Sequence, residues 1–547
     1  MKRAAHGGPR AAPDGGGGVR AVTRAARPPH GADLRAPAAA ALARGATRTE
    51  ALLVVALFLV GIGTRLATRS HVLYHWDSVN FALALERYDI AAHQPHPPGY
   101  VLYVLLGRLV NAFVEDANAS LVLISVVASG LLIPTAYLLG RDLFDRRTGL
   151  YAALLALTGP LVWFYGSVAL SYIVELLLTG TIAWLCYHSL EGRRGYLLAA
   201  SVTLAIAGGV RQNTLPLMLP LWLFCVARAD SRWRVGAVLG LVVPSLAWGV
   251  AMLRLSGGLE AYLRAVLGQA GDTAVASGLG SATRVLTNWA RLTVYAAYAL
   301  TLGVAVLPPL ALAGLRGLPR HLPRRLARPR WQVLGLWVAP SALLYSLFVQ
   351  QAGYSFTFML ALILLVAYGL RRLLGPGGPP WLRGRDLSPY ALALVIACNL
   401  AFFVAAPPFL FGQRRQLLSA PSLPAIRQRD RSVRERVALV RSTFDSASTL
   451  IVASSFDFRL PDYYLRDYRR LSAVEEAGAG PTAIEIPDEI DAVILFDEDL
   501  SPAPSEWPAR EATLPSGAAL RWLSRDAGQD LILSGTTISL SPSGGRP

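Results

Sequence analysis

One short stretch of the chain combines carboxylates, imidazoles and a Pro-Pro-Gly turn between segments that are otherwise strongly apolar. It covers residues 76–100, WDSVNFALALERYDIAAHQPHPPGY, and follows His75 directly. Ionisable side chains beside membrane-length apolar segments are costly to maintain, so this concentration indicates a functional site. A carboxylate there could accept a proton from a nucleophile or bind a hard cation. The acids and histidines of the stretch are Asp77, Glu86, Asp89, His93 and His96.

The composition predicts a membrane protein. The chain has 547 residues, of which 53% are hydrophobic and 16% charged, whereas soluble domains carry about 25% charged residues. The apolar residues form blocks close to the length of about 20 residues that a helix needs to cross a bilayer. We therefore expect a mainly α-helical, polytopic transmembrane bundle of about eleven spans. They lie near 51–67, 119–140, 149–168, 171–190, 196–210, 213–228, 235–254, 287–313, 332–350, 355–370 and 389–408.

The basic residues predict how the chain is oriented. The formal net charge is +17, but Lys2 is the only lysine and the arginines collect in alternate short loops, as the positive-inside rule requires. This distribution favours membrane lipids over nucleic acid as a partner. It predicts a multi-pass protein of the cell membrane with a cytoplasmic N-terminus, an outer 68–118 loop and an outer C-terminal region. Residues 99–114, with Arg108 in the middle, must then form a helix at the outer interface.

Three regions differ in composition. Residues 1–48 are rich in Ala, Gly, Pro and Arg, which predicts a disordered basic cytoplasmic tail. Residues 49–409 form the predicted membrane domain. Residues 410–547 lack a spanning block and contain strand-like runs at 449–455, 490–497 and 530–540, so we expect a small α/β domain outside the membrane.

Several separated motifs resemble those of the membrane-embedded C-class glycosyltransferases. An acidic residue just after the first helix and the His-Pro-Pro-Gly-Tyr element at 96–100 resemble the protein O-mannosyltransferase-like and aminoarabinose-transferase-like bacterial families. GRDLFDRRTGLYAALLAL at 140–157 resembles the family's cytoplasmic connection between its second and third helices. QQAGYSFTFMLAL at 350–362 resembles a later Gly-Tyr segment at the outer face. The similarity covers roughly residues 50–370.

The resemblance implies that Asp77 is the catalytic residue. In the family, the aspartate of the first loop acts on the acceptor nucleophile while a sugar leaves a polyprenyl-phosphate donor. A carboxylate within hydrogen-bond reach can take the proton of an acceptor hydroxyl as the new bond forms. A second interpretation stays open: Asp77 caps an interfacial helix, because Asp before Ser and Asn suits a helix start.

The resemblance also implies a second acidic residue in the same loop, and some family members use a divalent metal. Glu86 and Asp89 both fit that position, and we prefer Asp89 because it lies closer to the HQPHPPGY element. A divalent cation, Mg²⁺ or Mn²⁺, is therefore the one cofactor under consideration, with Asp77 and Asp89 as ligands. Plain surface charge is the alternative interpretation of both Glu86 and Asp89.

Further residues are predicted to bind substrate. Arg211, in GGVRQN, could clamp the donor phosphate, because its planar fork suits phosphate oxygens; an arginine reaching for the interface is the alternative. Glu175, near the outer end of a span, requires a partner or a cavity. His96 could orient donor or acceptor, or could be a turn residue. Tyr354 would contact the carrier phosphate by family analogy.

The predicted function is that of an integral-membrane glycosyltransferase. It would move a sugar from a polyprenyl-phosphate donor to an unidentified envelope acceptor, which is a protein, lipid or polysaccharide, at the outer face. The alternatives are a transporter or flippase of lipid-linked intermediates and a non-catalytic envelope assembly protein. A transporter would place its ionisable residues near mid-membrane, whereas here they collect at the outer edge.

Overall fold

The computed structural model describes most of the chain beyond residue 47. The described residues are 48–277, 282–315, 328–348, 351–376, 378, 382, 384–408, 420–454, 456–473, 482–503, 510–534 and 536–542. The predicted tail at 1–48 therefore lies outside the described residues, apart from Arg48 itself.

Helices dominate the chain up to residue 443. The first ten are α1 Arg48–Thr68, α2 Trp76–Glu86, α3 Val101–Val114, α4 Ala117–Leu143, α5 Arg146–Thr158, α6 Pro160–Tyr165, α7 Tyr172–Leu190, α8 Gly195–Val210, α9 Thr214–Ala227 and α10 Ser231–Leu255. They are followed by α11 Leu259–Ser277, α12 Ala282–Leu300, α13 Leu307–Leu315, α14 Pro329–Leu347, α15 Phe356–Leu374, α16 Ser388–Ala405 and α17 Leu423–Thr443. Short 3₁₀ turns cover Thr301–Val306 and Ala352–Ser355.

Seven helical segments of the described residues are long and apolar enough to cross a membrane, so the protein is a multi-pass membrane protein. They are Arg48–Thr68, Ala117–Leu143, Tyr172–Leu190, Ser231–Leu255, Thr283–Gly314, Ala352–Leu374 and Ser388–Ala405. All seven overlap predicted spans, but the predicted count of about eleven is not confirmed.

The difference in span count has a local cause in one of the predicted spans. The segment predicted at 149–168 is broken between α5 and α6, because Pro160 has no N–H to offer the Ala156 carbonyl four residues earlier. That carbonyl accepts a hydrogen bond from Arg65 Nη2 at 3.3 Å instead. The segments predicted at 196–210 and 213–228 form α8 and α9, which have 16 and 14 residues. Both are shorter than a full crossing requires.

The helix predicted at 99–114 is α3, which has 14 residues. Its buried side includes Val101, Tyr103 and Val104. Leu109 and Phe113 are 61% and 82% exposed. A short helix with one apolar face open to its surroundings is what an interfacial position requires.

The C-terminal region is an α/β unit, as predicted. Its elements are β1 Thr449–Ala453, α18 Leu460–Tyr464, β2 Arg469–Ser472, β3 Thr482–Ile484, β4 Ala492–Leu495, β5 Ser501–Pro502, β6 Arg510–Thr513, β7 Ala519–Ser524, β8 Gln529–Ser534 and β9 Thr537–Pro542. The strands form two sheets with the orders β2-β1-β4-β7-β6 and β3-β8-β9-β5. In the first sheet β1 pairs in parallel with β2 and β4, whereas β7 is antiparallel to β4 and β6.

Helix α17 forms hydrogen bonds with the segment that connects α1 to α2. Asp430 Oδ1 accepts hydrogen bonds from Ser70 Oγ at 2.7 Å and from the His71 N–H at 2.9 Å. Arg429 Nε donates to the Tyr74 carbonyl at 3.2 Å. From α18, Tyr464 Oη accepts from the Leu73 N–H at 2.9 Å. Because most of these groups are buried, the bonds fix the backbone that enters α2.

Candidate active site

Asp77 lies in the first turn of α2 and is only 7% exposed. It is not the cap of this helix: His75 is, and its Nδ1 accepts a hydrogen bond from the Asp77 N–H at 3.0 Å. Ser78 completes a capping box by accepting from the His75 N–H. The interpretation of Asp77 as an N-cap is therefore wrong, and its carboxylate is available for another role.

The second imidazole beside Asp77 is that of His96. Its Nδ1 lies 3.4 Å from Asp77 Oδ1, and His75 Nδ1 lies 3.5 Å from Asp77 Oδ2. The ring of His96 packs against Phe81 and Tyr100, with centroid distances of 5.6 and 4.6 Å. The Pro-Pro-Gly-Tyr turn thus brings His96 back to the start of α2, and it joins two predicted site residues.

Both histidines are neutral at neutral pH. Burial lowers the pKa of His75 to about 4, although Asp77 opposes the shift. Burial also lowers the pKa of His96, again against the effect of Asp77. Because His75 Nδ1 accepts the Asp77 N–H, the proton of that ring lies on Nε2. The two imidazoles beside Asp77 are therefore polar but uncharged.

The depressed pKa of His75 predicts an acid-sensitive structure. A histidine whose pKa falls on folding binds more protons in the unfolded state, so stability is lost as the pH falls from its ordinary value of 6.5 towards about 4. Between about pH 7 and about pH 5 the loss should be about 2 kcal/mol. We expect the unfolding temperature of the purified protein to fall over this range, and to fall less in His75→Asn.

Asparagine is a suitable replacement because it keeps an N-cap acceptor but does not titrate. An equal loss of unfolding temperature in the wild type and in His75→Asn would contradict the assignment of the acid sensitivity to His75.

A buried ion pair lies where α7 begins and α8 ends. Arg211, 3% exposed, has its Nε 2.9 Å from Oε2 of Glu175, which is 1% exposed. Glu175 Oε1 accepts from Thr214 Oγ1 at 2.9 Å, and Arg211 Nη1 donates to Ser171 Oγ at 3.3 Å. Glu175 thus has the partner that its position requires, and Arg211 is held by a carboxylate rather than extended to the interface.

Tyrosine rings surround the guanidinium of Arg211. Its central carbon lies 4.3 Å from the ring centroid of Tyr172, 5.5 Å from that of Tyr100 and 5.9 Å from that of Tyr354. Cation–π contacts of this kind stabilise a desolvated cation. Tyr100 contacts both Arg211 and His96, so one ring connects the Arg211 pair to the neighbourhood of Asp77. The structure therefore brings together Asp77, His96, Arg211, Glu175 and Tyr354.

Glu86 and Asp89 are placed elsewhere. Both oxygens of Glu86 lie 2.7 Å from the nitrogens of Arg466, and both side chains are largely exposed. Asp89 accepts from Arg87 at 2.9 Å and from the Ala92 N–H at 3.2 Å. Among the hydrogen bonds and ion pairs of the described residues, none joins either acid to Asp77. Their observed contacts close a turn (Asp89) and attach α2 to the C-terminal region (Glu86).

The donors around Asp77 do not fit the predicted Mg²⁺ or Mn²⁺ site. These hard cations prefer several oxygen ligands, whereas Asp77 is flanked by two imidazoles, and His75 Nδ1 already accepts a backbone N–H. Within the described part of the chain, no group of three or more His, Cys, Asp or Glu side chains could hold a metal ion. Asp89, the second predicted ligand, is turned to Arg87.

An aromatic pocket adjoins His75. It has a volume of about 70 Å³, and its lining includes His75, Tyr74, Tyr165, Gln351 and Phe456. Gln351 also accepts a hydrogen bond from Tyr172 at 3.1 Å, so the pocket borders the tyrosines around Arg211. The pocket is lined by His75, a neighbour of Asp77, and by Gln351, the hydrogen-bond partner of Tyr172 beside Arg211.

Comparison with known proteins gives a family match and a set of similar structures. Residues 95–252 match the family described as dolichyl-phosphate-mannose-protein mannosyltransferase. This part of the chain contains His96, Glu175 and Arg211 and begins after Asp77. Comparison with curated protein sequences gives no match.

The structure of ArnT from Cupriavidus metallidurans bound to undecaprenyl phosphate is similar over 88% of this chain and 98% of that chain, with 14% identity and a TM-score of 0.54. The chain therefore has the same overall fold as this ArnT. The apo structure of the same ArnT covers 86% of this chain and 97% of its own, with 14% identity and a TM-score of 0.50.

A more distant structure is the apo oligosaccharyltransferase of Archaeoglobus fulgidus. It has 15% identity and a TM-score of 0.46, and the match covers 81% of this chain and 69% of that chain. The resemblance to C-class glycosyltransferases predicted from the sequence is confirmed by the family match and the ArnT fold.

Proposed function

We propose that the protein is a glycosyltransferase that moves a sugar from a polyprenyl-phosphate donor to an acceptor hydroxyl of the cell envelope. The observation that carries this proposal is the buried Asp77 carboxylate between two neutral imidazoles, in a C-class fold. The similarity to an ArnT structure that holds undecaprenyl phosphate supports the donor class. The comparisons give no support to a flippase.

In the proposed reaction, the acceptor oxygen attacks the anomeric carbon of the donor sugar. The bond between that carbon and the phosphate oxygen breaks, and polyprenyl phosphate leaves as an anion. Asp77 takes the proton of the acceptor hydroxyl as the new glycosidic bond forms. His96, 3.4 Å from Asp77 Oδ1, would keep the carboxylate in place. No step is assigned to a divalent cation.

Arg211 is proposed to stabilise the leaving phosphate. A departing phosphate needs cations and dipoles more than it needs an acid. The guanidinium is preorganised by Glu175 and by the rings of Tyr172 and Tyr100. Tyr354, whose ring also lies beside the guanidinium, would contact the same phosphate. Glu86 and Asp89 have no role in this proposal.

The proposed orientation follows the arginine distribution. The start of α1 would lie in the cytoplasm, and the segment around Asp77 together with residues 420–542 would lie outside the cell membrane. Residues 49–409 would act as the membrane domain and 410–547 as an outer domain.

Deletion of the gene tests the function. We expect the loss of one sugar substituent from an envelope glycan, lipid or glycoprotein, measured by mass spectrometry of each fraction, and its return on complementation with the wild-type gene. An unchanged set of envelope glycans in the deletion strain would contradict the proposal.

A further inference from the structure

A cavity with several charged side chains in its lining lies between the first loop and α17, and we call it the α17 cavity. It has a volume of about 170 Å³. Its lining includes Tyr74, which precedes the Asp77 segment, and Gln428, Arg429 and Arg436 of α17. The mechanism proposed above leaves this cavity unused.

The cavity lies at the carboxyl ends of two parallel strands. Strands β1 and β4 pair in parallel and end at Ala453 and Leu495. Asp457 follows the first and Asp497 the second, and both line the cavity. The crevice outside the carboxyl ends of parallel strands is where α/β sheets bind ligands, since loops from neighbouring strands converge there.

Two aromatic residues, Tyr74 and Phe456, join the α17 cavity to the surroundings of Asp77. Phe456 lines both this cavity and the aromatic pocket that includes His75. Its ring centroid lies 5.2 Å from that of His75 and 5.5 Å from that of Trp76, the two residues that precede Asp77. A molecule in the α17 cavity would therefore be a near neighbour of the proposed general base.

Several charged groups of the cavity, including Arg436, Asp457 and Asp497, are buried. Asp457 pairs with both Arg429 and Arg436. Asp497 accepts a hydrogen bond from the Ser454 N–H. Burial raises the pKa of Asp497 well above its ordinary value, and the neighbouring Asp457 adds to the shift. The lining thus offers a charged acceptor and a carboxyl group that can also donate, next to two fixed cations.

Some of these buried donors lack a partner. Among the described residues, Nε of Arg436 and Nη2 of Arg429 are buried atoms that have no hydrogen-bond partner. Buried donors without partners are costly, and a ligand with oxygen acceptors would satisfy them.

The charge of the lining indicates the class of ligand. Two arginines face four carboxyl groups, namely those of Asp457, Asp497, Glu498 and Asp499. Even with Asp497 protonated, the other three acids outnumber the two arginines, so the lining does not favour phosphates or other anions. Carboxylates accept hydrogen bonds from hydroxyl groups, arginines donate to hydroxyl oxygens, and the rings of Tyr74 and Phe456 provide apolar faces. A neutral ligand rich in hydroxyls matches all three features.

We propose that the α17 cavity binds the acceptor of the transfer reaction, and that this acceptor is a neutral saccharide. The inference rests on the proposed glycosyltransferase function. The saccharide would lie between α17 and Tyr74 and present one hydroxyl past Phe456 to Asp77.

Binding of simple sugars to the full-length purified protein tests the inference without turnover. The probes are the methyl glycosides of mannose, galactose, glucose and arabinose, titrated in saturation-transfer difference NMR. We expect at least one of them to bind, and its Kd to rise about tenfold or more in Gln428→Trp, because the indole would fill the cavity. Ala438→Trp adds the same bulk at an exposed position of α17 outside the cavity, and its Kd should match that of the wild type.

Asp499→Asn is a second cavity variant, which keeps the inference testable if Gln428→Trp does not fold. Asp499 is an exposed lining residue, so the change is mild, and loss of a charge-assisted hydrogen bond should raise the Kd about fivefold. Binding should persist in Asp77→Asn, which separates a failure of this inference from a failure of the proposed chemistry. Absence of binding by all four glycosides, or a Kd unchanged by both cavity variants, would overturn the inference. Selective binding of a threonine-rich peptide in their place would also overturn it.

Discussion

Asp77→Asn should lower sugar transfer by about 10²- to 10⁴-fold, the usual contribution of general-base catalysis. The amide has nearly the same shape as the carboxylate but cannot take the acceptor proton. His75, not Asp77, caps α2, so the helix start should be unaffected. The measurement is complementation of the deletion strain, scored by mass spectrometry of the missing sugar, with the amount of protein in the membrane determined in parallel.

Glu86→Gln is the matched control for this experiment. It makes the same carboxylate-to-amide change at the other end of α2, where Glu86 is exposed and paired with Arg466. Exposed ion pairs contribute about 0.2–1 kcal/mol, so the control should keep its activity and its abundance. Full complementation by Asp77→Asn at normal abundance would remove the catalytic assignment. A loss of protein equal to the loss of activity would point to a structural role instead.

The sequence predicted a candidate site in the first loop because carboxylates and histidines are concentrated in one segment. Asp77 and His96 are separated by 18 intervening residues, and the Pro-Pro-Gly turn indicated that the chain returns. Arg211 and Glu175 were found because ionisable residues stand out in apolar surroundings. Their pairing with each other was not predicted, since periodicity within one helix does not show which neighbouring helix will face it.

Other features depended on contacts that are distant in sequence. The hydrogen bonds of Asp430 and Arg429 to residues 70–74 join parts of the chain that are more than 350 residues apart. The ion pair of Glu86 was not predicted, because its partner, Arg466, lies 380 residues away in the sequence. His75, two residues before Asp77, could have indicated from the sequence that a residue other than Asp77 caps α2. Span counting failed where a proline interrupts an apolar run, as at Pro160.

Variants of the Arg211–Glu175 pair can separate a structural role of Arg211 from a catalytic one. Arg211→Met should destabilise the protein by about 3–5 kcal/mol, because it leaves the Glu175 carboxylate buried without a countercharge. The double variant Arg211→Met/Glu175→Met removes both charges, and replacing a buried pair with apolar side chains is often neutral or stabilising. We therefore expect the single variant to unfold at a lower temperature and the double variant to recover, as measured by thermal unfolding of the purified proteins.

Activity should not recover with stability if Arg211 binds the leaving phosphate. The double variant should then accumulate normally and transfer sugar about 10²-fold more slowly or worse, because a preorganised cation is missing when negative charge develops on the phosphate. Arg211→Lys keeps the charge but loses the planar fork, so its rate of sugar transfer should lie between those of the wild type and the double variant. A stable double variant with wild-type transfer would show that the pair only holds α7, α8 and α9 together, and the phosphate would then require another cation.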